Sequence, residues 1–191
     1  MMKIKRLAIF ASGSGSNVEN IFNYFKNSSN IIIDVVICNN PNAFVIERCK
    51  NLKLECIIIT KENYWDDKYM LNIFGEKKID FIVLAGFLWL IPKYLIDTYP
   101  DKIINIHPAL LPDFGGKGMF GMNVHNAVYN AKVKETGITI HFVNENYDEG
   151  NILFQSKTEI LENDTPEIIA EKIHKLEYLH YPIQIEKVIL G

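Results

Sequence analysis

In the segment Ile103-Ile104-Asn105-Ile106-His107-Pro108, an amide and an imidazole stand two residues apart. On a β-strand this spacing turns both side chains to one face. Pro108 closes the strand, and Pro112 stiffens the turn after it. The Asn105 amide and the His107 ring each present an N–H, and two such donors can stabilise a carbonyl oxygen as it becomes an oxyanion. No serine or cysteine nucleophile accompanies them, which favours direct group transfer over a covalent intermediate. The plainer role for such a pair is to hold the turn at the strand's end.

A second candidate is Ser12-Gly13-Ser14-Gly15-Ser16-Asn17, between an apolar run and a helical one. Glycines let the backbone approach a ligand, and a helix start offers free N–H groups with partial positive charge, a combination suited to phosphate. Val18 takes the place of the last glycine of a dinucleotide fingerprint, and no Gly-Lys-Ser/Thr follows as in a P-loop. A tight turn with Ser16 or Asn17 capping the helix would use the same residues. The position after the first strand of an α/β sheet favours a nucleotide monophosphate or sugar phosphate. Among the other histidines, His125 is expected to be structural or exposed near the start of a helix. His141 can face the site or the core, with a supporting role expected, and His174 and His180 are expected to be non-catalytic. Tyr64, Trp65 and Tyr69, at helical spacing, read as packing. No His, Cys, Asp or Glu spacing suggests a metal.

The elements that must position these groups alternate. Runs at 7–11, 31–38, 56–59, 81–85 and 103–106 are short, rich in Ile, Val and Phe, and nearly continuous in hydrophobicity, as strands buried on both faces are. Helical segments are predicted at 17–26, 43–52, 64–77 and 92–99, with Pro92 in a first turn. The alternation predicts an α/β fold, a mostly parallel twisted sheet with helices on both faces. Residues 113–123, with four glycines, are a loop, either a mobile lid or a local variation. Strands at 138–143 and 152–157 flank a polar loop, and one helix follows Asp164, with Thr165 as N-cap and Pro166 at N1. Pro182 is expected to kink or interrupt it.

The 191 residues are 48% hydrophobic, enough to bury a core, and show no repeat or linker, so one domain spanning 1–191 is expected. The 23 acidic against 20 basic residues argue against a broad nucleic-acid or membrane face. Cys38, Cys49 and Cys56 form neither a pairing pattern nor a zinc motif, which points to reduced thiols and the cytoplasm. The start, Met1 to Ala11, faintly resembles a signal peptide, but its apolar stretch is too short. The longest apolar run, 81–91, is broken by Gly86 and stopped by Pro92, far short of the ~20 residues of a membrane helix.

Taken together, the motifs resemble the folate-dependent formyltransferases. Asn105-Ile106-His107-Pro108-Ala109-Leu110-Leu111-Pro112 is similar to their active-site segment. Leu84-Ala85-Gly86-Phe87 resembles the segment before the folate pocket, and His141-Phe142-Val143 with Asp148-Glu149-Gly150 resembles the segment bearing the catalytic aspartate. The resemblance covers nearly the whole chain, in order. It implies a Rossmann-variant fold and transfer of a formyl group from 10-formyltetrahydrofolate to the amine of glycinamide ribonucleotide, with no metal. Asn105 and His107 would stabilise the oxyanion, and Asp148 would support a His107 imidazolium available near neutral pH and help protons move. Gly15, Ser16 and Asn17 would hold the ribonucleotide and its phosphate with Glu177, which could otherwise be a solvated helix carboxylate. Lys68, Leu88, Trp89, Leu90, Ile91 and Asn105 would meet the folate. Trp89 and Lys68 both stand where the family often has arginine, and Lys117 could meet the folate's glutamate tail.

The alternatives within the resemblance are a formyltetrahydrofolate hydrolase or a formyltransferase acting on methionyl-tRNA or a nucleotide sugar; outside it stands a non-catalytic nucleotide-phosphate sensor. The glycine loop argues against the hydrolase, and the Asn105, His107 and Asp148 set against the sensor. By the same resemblance the tRNA enzyme carries an extra C-terminal domain and the hydrolase an extra N-terminal one, for which 191 residues are expected to leave no room. The oligomeric state is not legible in the sequence.

Overall fold

The apolar run after Arg6 is a strand whose two faces carry the two halves of the core. In β1 (Lys5–Ala11), Leu7, Ile9 and Ala11 face one layer, and Ala8 and Phe10 the other. The first layer is packed by α1 (Ser16–Phe25), α2 (Val45–Leu52), α6 (Met122–Asn130) and α7 (Pro166–Leu190), through residues such as Val18, Val45, Val124 and Ile173. The second is packed by α3 (Lys61–Trp65), α4 (Asp67–Lys77) and α5 (Lys93–Thr98), through Tyr64, Phe74 and Leu95. Helices on both faces follow from a strand that is apolar on both. The coordinates are a computed structural model describing residues 3–191; Met1 and Met2, which begin the leader-like start, lie outside the described residues.

The remaining strands are β2 (Ile31–Cys38), β3 (Cys56–Ile58), β4 (Phe81–Leu84), β5 (Ile103–His107), β6 (Glu135–Phe142) and β7 (Ile152–Glu159), in the sheet order β3-β2-β1-β4-β5-β6-β7. The first five are parallel, and β6 and β7 add antiparallel at one edge. The chain runs from β1 outward through β2 and β3, then returns to place β4 on the other side of β1. That reversal opens a crevice at the carboxyl ends of β1 and β4, where open α/β sheets hold ligands. Tyr181, fully buried on α7, donates its hydroxyl to the Leu84 carbonyl at 2.7 Å and so pins the last helix to this rim.

Four local expectations change. The helix predicted over 64–77 is two helices, because Asp66 adopts extended backbone (φ −85°, ψ 103°) and caps α4, its Oδ1 accepting from the N–H groups of Lys68 and Tyr69. Pro92 stands just before α5, not within its first turn. At α1 neither Ser16 nor Asn17 caps; Gly15 precedes the helix at φ 74°, with no side-chain cap. Pro182 does not interrupt α7, which runs unbroken to Leu190. A proline at 182 leaves the carbonyl four residues earlier without its helical donor, and Asn20 on α1 supplies one, its Nδ2 donating to the Tyr178 carbonyl at 3.0 Å. Asn20→Ala removes that substitute donor, and thermal denaturation should show a midpoint lower by roughly 2–4 °C, the effect of about 1 kcal/mol at this chain length.

No helix among the described residues is long and apolar enough to cross a membrane.

Candidate active site

The crevice is a cavity of about 600 Å³. Its walls come from the Gly13–Asn17 loop, the segment after β4, the end of β5, the 116–121 loop, Asp148, and the faces of α6 and α7. Asn105, His107, Asp148, Gly15, Ser16, Asn17, Glu177, Leu88, Trp89, Leu90 and Ile91 are all brought to this cavity. Lys68 is not: it is exposed on α4, outside the wall, and engages Asp66 through its backbone N–H. The helix break at Asp66 sets that turn on the outer surface.

At the reaction end, β5 presents Asn105 and His107 from one face, and the antiparallel register sets His141 of β6 directly opposite Asn105. The His141 Nδ1–H donates to the Phe142 carbonyl (2.7 Å), which leaves the Nε2 lone pair to accept from Asn105 Nδ2 at 3.1 Å. The second Asn105 hydrogen reaches Asp148 Oδ1 over a longer 3.4 Å. Asp148 is at φ 59°, a conformation Asp tolerates better than most residues. Its Oδ2 accepts from the Gly116 N–H at 3.0 Å and stands 3.4 Å from His107 Nδ1. The other His107 nitrogen, Nε2, donates to the Phe114 carbonyl at 2.8 Å. Behind the ring, Thr139 lies opposite His107 and ties down the following turn, donating to the Ala109 carbonyl (2.7 Å) and accepting from the Leu111 N–H (2.9 Å).

The protonation states differ from the expected imidazolium. His107 is 2% exposed, and burial pushes its pKa below the ordinary histidine value, against the opposing pull of Asp148 and the Phe114 carbonyl. Burial pushes the Asp148 carboxyl up, but the His141 and His107 rings and the Gly116 N–H together outweigh it and hold the carboxyl below its usual range. Both directions favour a neutral His107 ring beside an ionised Asp148 near neutral pH.

At the opposite end, Glu177 is not a solvated helix carboxylate. It is 6% exposed, and its Oε2 accepts from Asn17 Nδ2 (3.0 Å) and from His174 Nδ1 (3.1 Å). Glu177 raises the His174 pKa, and His174 itself lines the cavity. His125, at 2% exposure, is in the wall as well; burial lowers its pKa, and its Nδ1 has no hydrogen-bond partner among the described residues. The resemblance points to Glu177, whereas the sequence holds no sign of His174 and His125 in the wall, placements that depend on how α6 and α7 pack together over the β1 end. On the third side, Leu88–Ile91 is anchored at both ends. The Leu88 N–H donates to Ser12 Oγ (3.0 Å), and the Leu90 carbonyl accepts from the Tyr64 hydroxyl (3.0 Å). Trp89 packs on Tyr64, with ring centroids 5.3 Å apart, and on Phe87. Among the described residues no group of three or more His, Cys, Asp or Glu side chains is arranged to hold a metal ion.

Two N–H donors at the end of a central α/β strand, with a half-buried carboxylate brought beside them by the turn after β6, define a class of proteins equipped for acyl-type group transfer. The chain belongs to the formyl transferase family, whose model matches residues 5–185. It is 38% identical over 182 residues to the chloroplastic phosphoribosylglycinamide formyltransferase of Arabidopsis thaliana, covering 90% of this chain and 62% of that protein, less than two thirds of its length. It is 36% identical over 191 residues to the phosphoribosylglycinamide formyltransferase of Bacillus subtilis, covering 97% of this chain and 95% of that one. The crystal structure of glycinamide ribonucleotide transformylase 1 from Geobacillus kaustophilus superposes with a TM-score of 0.88 at 34% identity, covering 97% of this chain and 99% of that chain. The expected mostly parallel α/β fold is thus one shared with solved relatives.

Proposed function

We propose that this chain transfers the formyl group of 10-formyltetrahydrofolate to the amine of glycinamide ribonucleotide, a step of de novo purine biosynthesis. The observation that carries the reading is the gathering of Asn105, His107 and Asp148 in one cavity with the Gly13–Asn17 loop at a helix start, a setting suited to an anion. Gly15, Ser16, Asn17 and Glu177 hold the ribonucleotide. Leu88, Trp89, Leu90 and Ile91 hold the folate, with Trp89 offering an aromatic surface.

The neutral acceptor amine attacks the formyl carbon, and the carbonyl π pair moves to oxygen as the new C–N bond forms. Asn105 Nδ2 and His107 Nε2 donate to that oxygen, exchanging Asp148 Oδ1 and the Phe114 carbonyl for it. The attacking nitrogen sheds one proton. Asp148 receives it and shares it with His107 Nδ1, so the ring becomes an imidazolium while Nε2 still donates to the oxyanion. As the carbonyl re-forms, the bond to the folate nitrogen breaks and that nitrogen takes the proton back from the pair. No proton is gained or lost overall.

The partners are small molecules; the acidic balance of the chain and a cavity wall with Lys117 as its one lysine among the described residues support a ribonucleotide acceptor over a tRNA. One continuous sheet supports treating residues 1–191 as one catalytic domain, and the cysteine pattern supports the cytoplasm. Mass spectrometry of the ribonucleotide after incubation with both substrates tests the reading. Its formylated form is expected; formate in its place assigns a hydrolase, and neither product assigns a sensor.

A further inference from the structure

The glycine loop carries no cation of its own. Lys117, on the loop that follows β5, is the only lysine or arginine in the cavity wall among the described residues. Without a cation in the loop, backbone N–H groups beside the serine and asparagine side chains are the donors for an anion there, and the backbone groups serve only if their peptide planes are turned toward it. In a planar trans peptide the carbonyl of one residue and the N–H of the next point in opposite directions. Three successive loop carbonyls are bonded by groups that do not line the cavity. The Ser12 carbonyl accepts from Asn40 Nδ2 (3.4 Å), the Gly13 carbonyl from the Val45 N–H (3.1 Å), and the Ser14 carbonyl from Arg48 Nε (2.8 Å). The N–H groups of Gly13, Ser14 and Gly15, residues that line the cavity, are thereby turned away from Asn40, Val45 and Arg48.

Arg48 is the shortest of these anchors and the one with an ionised donor, the stronger kind. Its Nη1 pairs with Glu19 in the first turn of α1, and its guanidinium lies over the Phe44 ring, 5.1 Å from the centroid. One side chain on α2 therefore holds the loop and α1 together. Gly15 closes the same contact: a Cβ there would stand 2.4 Å from Val45 Cγ2, at a φ of 74°.

We propose that Arg48 is a positioning residue for the anion subsite, holding the Ser14–Gly15 peptide so that its N–H meets the phosphate of the acceptor. The proposal rests on the reading that the acceptor is a phosphate-bearing ribonucleotide. Arg48 touches neither the cavity nor the reacting atoms; it acts through the orientation of the loop.

Steady-state kinetics of Arg48→Gln, Arg48→Lys and Glu19→Gln in the full chain test it, with inorganic phosphate as competitor. Arg48→Gln is expected to raise KM for glycinamide ribonucleotide about tenfold and weaken phosphate inhibition by a similar factor, with KM for the folate and kcat within about threefold of wild type. Arg48→Lys keeps one donor and the charge, and is expected to shift the same two quantities by less; it carries the test if the glutamine variant does not fold. Glu19→Gln still accepts from the guanidinium and is expected to leave KM within about twofold. An unchanged ribonucleotide KM in the Arg48 variants, equal rises in both KM values, or a Glu19→Gln effect as large as that of Arg48→Gln overturns the proposal. Wild-type protein that binds phosphate but never formylates the ribonucleotide overturns the assigned reaction instead, and phosphate affinity alone then judges Arg48.

Discussion

His107→Ala is expected to lower kcat by roughly three to four orders of magnitude while leaving ribonucleotide affinity within a few-fold of wild type. One oxyanion donor is worth roughly 10²–10³ in rate and a placed proton acceptor roughly 10²–10⁴; His107 serves in both, and the two losses overlap. Affinity survives because the glycine loop and Glu177 belong to β1–α1 and α7, not to β5. Single-turnover rates together with binding isotherms separate the two quantities. A His107→Ala enzyme within tenfold of wild-type kcat would contradict the assignment. The pH dependence follows from the same ring. The proton shed by the amine needs a neutral His107 beside an ionised Asp148. Burial holds the His107 pKa below its ordinary value, so kcat is expected to fall on the acid side only below about pH 6.5. Asp148 raises the His107 pKa, so Asp148→Asn should move that limb further toward acid while lowering the rate. A kcat that instead falls as pH rises through 7 would mean that the imidazolium is the starting form.

Gly150→Ala is the second large effect, and it acts first on the fold. A Cβ at 150 would lie 1.7 Å from the Phe142 carbonyl oxygen, a backbone atom in the strand that carries His141. Nothing flexible can yield there, so the 148–150 turn must shift away from β6. Overpacking of this kind costs roughly 1–3 kcal/mol or more, equivalent to a fall in melting midpoint of roughly 2–12 °C at this length. Asp148, two residues away, loses its registration with His107 and Asn105, so kcat should drop by roughly 10²-fold even where the protein remains folded. Calorimetry paired with kcat on the folded fraction checks both; a variant with wild-type midpoint and rate would show that the turn is not braced in this way.

Local chemistry is legible in the sequence, and long-range placement is not. Near-continuous apolar runs marked the buried strands because a strand covered on both faces has no polar side to display. The two-residue spacing of Asn105 and His107 placed both on one face by geometry alone. His141 stayed ambiguous because its place opposite Asn105 depends on the antiparallel register of β6, a pairing 36 residues distant. Pro182 looked like a break because its compensating donor, Asn20, lies 158 residues from the carbonyl it satisfies. Glu177 is open in the sequence between a ribonucleotide contact and a solvated carboxylate, because its burial depends on α1 and α7 meeting around it. The imidazolium expected for His107 weighed the nearby carboxylate but not the burial of the ring, and burial is a property of the whole fold.

The central claim is that Asn105, His107 and Asp148 serve transfer to a ribonucleotide amine, not to water. The most direct measurement is the rate of tetrahydrofolate release from 10-formyltetrahydrofolate by the purified chain, with and without glycinamide ribonucleotide. Release that appears only with the ribonucleotide, in step with its formylation, is the predicted result. Release at the same rate without it would contradict the claim.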